Sequence, residues 1–171
     1  MTTAIGSASP IDTARVSNRR TLRFQTADEA AAEAQRLASA ERAANLTPLG
    51  NWTLGQALGH LATWSEFSFT GAPLKPPLPI RLFLRLQKNK FLTRPMPAGV
   101  IIRGVPGGTL GIDRLPLDDG LAKYCAAMDR LKTEIPTKPN VIFGPLTHDQ
   151  WIQLNLRHTE LHLSFFRPNT D

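Results

Sequence analysis

The sequence predicts an all-α fold, an antiparallel four-helix bundle with one long basic Pro/Gly-rich crossover between helices 2 and 3. Three observations predict it. First, three threonines are each followed three residues later by Glu or Gln: Thr26 with Glu29, Thr53 with Gln56 and Thr147 with Gln150. In that arrangement the hydroxyl caps backbone N–H groups at a helix start and the later side chain reaches back to the cap. Second, apolar residues recur at helical spacing behind each start. Third, about 45 residues rich in proline and glycine separate the second and third helices, too long a stretch for a plain bundle connection.

The first helix is predicted from about Ala27 to Ala43, with Ala30, Ala34, Leu37 and Ala38 facing inward, and it stops before the turn-rich NLTPLGN. The second runs from Leu54 to about Phe69. Gly55 and Gly59 within it each cost about 1 kcal/mol relative to alanine, which implies that a neighbouring backbone or ring crowds that face. The third begins after Pro116 with Asp118 and Asp119 in its first turn, favourable for the helix dipole, and shows the stripe Leu121, Tyr124, Cys125, Met128 and Leu131 before ending near Glu134. The fourth runs from His148 to about Phe166, where Pro168 stops it. Leu146 and Trp151 occupy the staple positions at its start. In the crossover, PIRLFLRLQKNKFL (79–92) is amphipathic enough for one short helix, and MPAGVIIRGVPGGTLG reads as an extended loop able to cover one end of the bundle.

Composition sets the outer limits. A chain of 171 residues fits one domain able to bury a core unaided, here residues 19–171, preceded by a small, polar, unpatterned segment, 1–18, expected to be a flexible tail. Cys125 is the only cysteine, so an intrachain disulfide and a cysteine-rich zinc site are excluded, and the cytoplasm is the default compartment. No run of about 18 apolar residues occurs, and the Arg19–Arg20 pair is followed by the polar, acidic TADEAAAEAQ rather than a signal-type apolar stretch. The net charge of +6 is concentrated: between Glu66 and Asp113 there is no acidic residue, against Lys75, Arg81, Arg85, Lys88, Lys90, Arg94 and Arg103.

The chemistry-bearing residues are histidines. In RHTELHLSFF, His158 and His162 stand four apart and share a predicted inward face with Trp151, Leu154, Asn155, Leu161 and Phe165. Rings at that spacing have Cβ atoms about 6 Å apart and can converge on one ion. Glu160, about 200° round the helix from His158, is expected to face solvent. His60 in NWTLGQALGHLATW lies on a second apolar stripe with Ala57, Leu61, Trp64 and Phe67. Each ring alone could hydrogen-bond a carbonyl or stack in the core. Three imidazoles facing one core need partners together, and a metal ion supplies all three at once. His148, about 15 Å along the helix from His158, is too far to share that ion and reads as a surface residue. Asn155 and Tyr124 are candidate pocket residues, with packing the plainer reading, and Cys125 is expected to be a small core residue.

NWTLGQALGHLATW together with RHTELHLSFF resembles the DinB/YfiT-like superfamily of metalloenzymes, in an uncharacterised branch of short bacterial proteins, over residues 19–166. The resemblance implies a four-helix bundle in which His60, His158 and His162 bind a divalent metal. It also implies a low-molecular-weight thiol as co-reactant in some members, and pairing as a homodimer. Three neutral imidazoles leave coordination positions open, as at a catalytic site, and suit zinc or nickel first, with iron or manganese as further options.

The expected function is therefore a divalent-metal-dependent transferase, isomerase or hydrolase acting on a small molecule, with no nucleic-acid or membrane partner. The alternative is a non-catalytic helical-bundle binding protein that uses the basic segment 75–103 for an anionic partner.

Overall fold

The computed structural model describes residues 10–169, which form six α-helices and one small sheet. The helices are α1 (Ala27–Arg42), α2 (Leu54–Thr70), α3 (Leu78–Leu86), α4 (Lys88–Thr93), α5 (Leu117–Thr133) and α6 (His148–Leu163). The strands are β1 (Leu46–Pro48) and β2 (Phe166–Pro168). Three of the four long helices, α1, α2 and α6, thus start where the threonine caps place them, and α5 starts after Pro116. Thr26, Thr53 and Thr147 each accept the backbone N–H three residues on, at 3.1, 3.2 and 3.2 Å. Only Thr147 has the full reciprocal box, with Gln150 accepting from the Thr147 N–H. Glu29 caps Gln25 instead, and Gln56 turns away to donate to the Ile112 carbonyl at 2.8 Å.

The core lies among α1, α2, α5 and α6. On α1 the buried residues are Ala27, Ala30, Ala34, Leu37 and Ala38, and on α5 the stripe narrows to Tyr124, Ala127, Met128 and Leu131 above Gly120. Every residue of α2 from Leu54 to Ala62 is buried, so this helix is enclosed on all sides at its N-terminal half. Glycine makes that enclosure feasible. A Cβ on Gly120 would stand 2.3 Å from the Gly55 carbonyl oxygen, one on Gly55 would stand 2.4 Å from the Leu115 carbonyl oxygen, and one on Gly59 would meet the Leu115 side chain at 2.6 Å. The crowding inferred from Gly55 and Gly59 thus comes from the crossover's Leu115 and Pro116, backbone at Gly55 and the Leu115 side chain at Gly59, with Gly120 of α5 also against Gly55.

Three expectations are corrected. The fourth helix ends at Leu163 rather than near Phe166, because Phe166–Pro168 leave it as a strand antiparallel to Leu46–Pro48, in the register Leu46↔Pro168, Thr47↔Arg167, Pro48↔Phe166. Three residues per strand are too few for a period-2 pattern to show, and a proline in each masks the signal further. The helix over 79–92 is two, α3 and α4, divided at Gln87. Glu160 does not face solvent: it is 5% exposed and pairs with the wholly buried Arg157, because α6 is packed on more than one side.

Residues 1–9 of the expected N-terminal tail lie outside the described residues. In its remaining part, Thr13–Arg15 form a 3-10 turn capped by Asp12, and Ile11 exchanges two 2.8 Å hydrogen bonds with the Asn51 side chain. Among the described residues no helix is long and apolar enough to cross a membrane.

Candidate metal centre

α2 and α6 bring His60, His158 and His162 together, and these form a group of potential metal ligands whose ligating atoms all lie within 4.8 Å of one another. His158 Nε2 is 3.3 Å from His60 Nε2 and 3.0 Å from His162 Nε2. Two nitrogens each about 2.1 Å from a common ion are separated by such distances when they subtend roughly 90 to 105° at it, within the range of tetrahedral and octahedral sites. The separations therefore suit one ion.

The tautomer of His60 is set by its surroundings. Its Nδ1–H donates to the Leu110 carbonyl at 2.8 Å, which leaves the Nε2 lone pair directed at the other rings. The same carbonyl accepts the Trp64 indole N–H at 3.3 Å. Gly111, next in the chain, sits at φ +68° with the Thr63 side chain 2.8 Å from where a Cβ would stand, so the loop lies directly on α2. With the Gln56 bond to Ile112, these contacts hold the loop expected to cover one end of the helices against the His60 face.

Indole rings wall the cluster. Trp52, just before the α2 cap, stacks on His162 with centroids 5.3 Å apart and planes within 4°, and lies 4.9 Å from His60. Trp64 stands edge-on to His158 at 5.7 Å. All three imidazoles are held neutral. Burial lowers His60 to about 4, against the opposing effect of its hydrogen bonds to Leu110 and Gly111. Burial, and then the neighbouring rings, hold His158 and His162 well below the ordinary histidine value. Neutral imidazole is the ligating form.

The other named candidates lie apart from this group. His148 is half-buried and its Nε2 bonds the Leu131 carbonyl at 2.6 Å. Tyr124 shares a 3.0 Å hydrogen bond with Thr159, and burial pushes its phenol up. Asn155 donates to the Trp151 carbonyl and to Ser68. Cys125 is half-buried, its thiol raised by burial and by Asp129. Sequence reasoning missed Trp52 and the Leu110 carbonyl. A tryptophan beside a helix cap carried a signal, whereas a backbone oxygen has no residue type to read.

A family model described as "Protein of unknown function (DUF1569)" matches residues 16–169. The chain belongs to this family. No curated protein and no solved structure matches it. The DUF1569 assignment overturns the resemblance to the DinB/YfiT-like superfamily, which is a different family. That resemblance rested on one histidine plus an H-x-x-x-H pair, a pattern that helical geometry imposes wherever two imidazoles of one helix meet a third, whatever the ancestry. The thiol chemistry it implied falls with it.

Proposed function

We propose that this DUF1569 protein is a metal-dependent enzyme acting on a small molecule, with His60, His158 and His162 as the ligands of one divalent ion, zinc or nickel in first place. The single observation that carries the reading is the convergence of three Nε2 atoms, two of the separations being 3.3 and 3.0 Å. A lone proton on His158 Nε2 cannot point along both lines, so the metal-free cluster leaves one close contact without a linear hydrogen bond. One cation satisfies all three lone pairs.

Three protein ligands leave positions for exchangeable ones, and a bound ion there lowers the pKa of water toward neutrality and polarises a carbonyl or phosphoryl oxygen. Because all three ligands are uncharged, the site retains the full double positive charge that such polarisation needs. The chain's own contribution is orientation and exclusion. Leu110 fixes the His60 ring, Trp52 stacks the His162 plane in place, and the two indoles present an apolar wall that raises the strength of every polar contact beside it. Hydrolysis or group transfer on a small electrophile is the reaction class this supports. The reading of α1, α2, α5 and α6 as an antiparallel four-helix bundle, with residues 71–116 as its crossover, belongs to the same proposal and is supported by their common core.

The test is metal analysis of protein purified without a histidine tag. About one equivalent of metal is expected, and His60→Ala, His158→Ala and His162→Ala are each expected to lose it while remaining folded. A folded wild-type chain that takes up no metal after incubation with zinc or nickel would sink the reading.

A further inference from the structure

We propose that α3 docks the protein on the surface of an anionic lipid bilayer. This does not depend on the metal reading, and it departs from the expectation of no membrane partner. α3 is turned inside out relative to an ordinary surface helix. Its apolar side faces away from the protein: Leu78, Leu82, Phe83 and Leu86 are 72, 61, 62 and 78% exposed, and Ile80 is exposed with them. At 100° per residue these positions form one arc. Arg81 lies outside that arc, half-buried with its Nε shielded by the protein, and the Arg85 guanidinium reaches to within 3.1 Å of where a Gly144 Cβ would stand. A helix stabilised only by its own domain would present the opposite face.

The charge around this face selects the occupant. Lys75, Lys88, Lys90, Arg94 and Arg103 accompany α3 in a segment with no carboxylate between Glu66 and Asp113. A second copy seated face to face would oppose cation to cation, because a two-fold interface brings the same patch to itself. Nucleic acid would use the cations and leave the leucines and phenylalanine in water. An anionic membrane interface uses both, the apolar arc entering the headgroup boundary while lysine and arginine meet lipid phosphates. Beside the arc, Phe83, Leu84, Gln87, Lys90 and Phe91 line an open depression of about 370 Å³, mostly apolar with one cation in its wall, which suits a lipid headgroup with its first methylenes. Since no described helix is suited to crossing a bilayer, the contact is a surface one.

The test is co-sedimentation of the full chain with vesicles of phosphatidylcholine, with and without phosphatidylglycerol, at low and high salt. Binding is expected on the anionic vesicles only. It should fall at least about tenfold at high salt or in Lys75→Gln/Lys90→Gln/Arg94→Gln, and by a similar factor in Leu82→Ser/Phe83→Ser/Leu86→Ser. All six positions are exposed, and an unchanged circular dichroism spectrum checks that each variant is folded. Four results would overturn the proposal: no binding to anionic vesicles at low salt, equal binding to neutral ones, unchanged binding by the apolar variant, or a wild-type dimer that this variant converts to monomer. Salt-sensitive binding to duplex DNA that survives the apolar substitutions, with none to vesicles, would also overturn it in favour of a nucleic-acid face.

Discussion

Two clusters of polar groups, one buried and one buried or half-buried, lie on α6 within a turn of each other, and they are finished in different ways. Arg157 is wholly buried, yet its guanidinium donates to Glu160 at 2.6 Å and to the Phe24 carbonyl, while Glu160 accepts the Phe24 N–H at 2.6 Å. That group draws its partners from within the protein and joins α6 to the segment entering α1, while Arg157 Nε and Nη1 and Glu160 Oε2 have no hydrogen-bond partner. The histidine cluster on the neighbouring face instead brings three Nε2 atoms together, with separations of 3.3 and 3.0 Å from His158 that a single proton cannot bridge at once. The difference lies in charge and convergence, not in completeness: the first cluster pairs a cation with an anion, whereas the second gathers three neutral rings of one kind, the arrangement on which the proposed metal site rests.

The largest effect is expected at the ion-pair cluster. Arg157→Ala leaves the buried Glu160 carboxylate with the Phe24 N–H and, as its only cation, the distant Arg23, 3.9 Å away, and should cost about 3–5 kcal/mol in urea unfolding with metal content per folded chain unchanged. A loss below about 1 kcal/mol would show that the pair is not what holds Phe24 to α6.

Acid should act on the histidine cluster. His60 is lowered to about 4, so between about pH 6.5 and 4 the unfolded chain takes up a proton that the native ring refuses. The stability that neutral His60 contributes to the metal-free protein is then fully present above pH 6.5 and is lost as pH falls through that window, by on the order of 3 kcal/mol, with His158 and His162 adding losses of the same sign. Urea midpoints across the window measure it, and His60→Gln should flatten the profile. Metal should act on the same cluster with opposite sign. At an ion concentration 100-fold above Kd, loading adds about 2.7 kcal/mol, visible as a rise in Tm that a chelator reverses and that His158→Ala lacks. Arg157→Ala should retain that rise.

A smaller effect sharpens the comparison further. Gln56→Ala removes the bond to the Ile112 carbonyl and should cost about 1 kcal/mol in stability. If the loop positions His60 as the geometry indicates, metal affinity should fall in addition by about tenfold, measured by competition with a chromophoric chelator. Lost stability with unaltered affinity would confine Gln56 to a structural part.

The convergence of His60, His158 and His162 was legible in the sequence because helical periodicity puts them on apolar stripes, and threonine caps set the phase of both helices. Glu160 misled for the complementary reason. A single dry face was assumed for α6, and a carboxylate opposite it seemed committed to water, but the segment Leu22–Phe24 packs there and supplies backbone partners. The short sheet was hidden by its length and its prolines. Where the basic segment turns its leucines could not be read either, since the period of an amphipathic helix gives a face and not the side of the protein on which that face ends up.

The Leu110 carbonyl oxygen has two lone pairs, and each is engaged, one by the His60 imidazole and one by the Trp64 indole. An oxygen so saturated has no vacancy at which water could begin to pry the loop from α2. Lifting the loop at Leu110 therefore means releasing both an imidazole and an indole, so the carbonyl cannot leave without freeing the His60 ring.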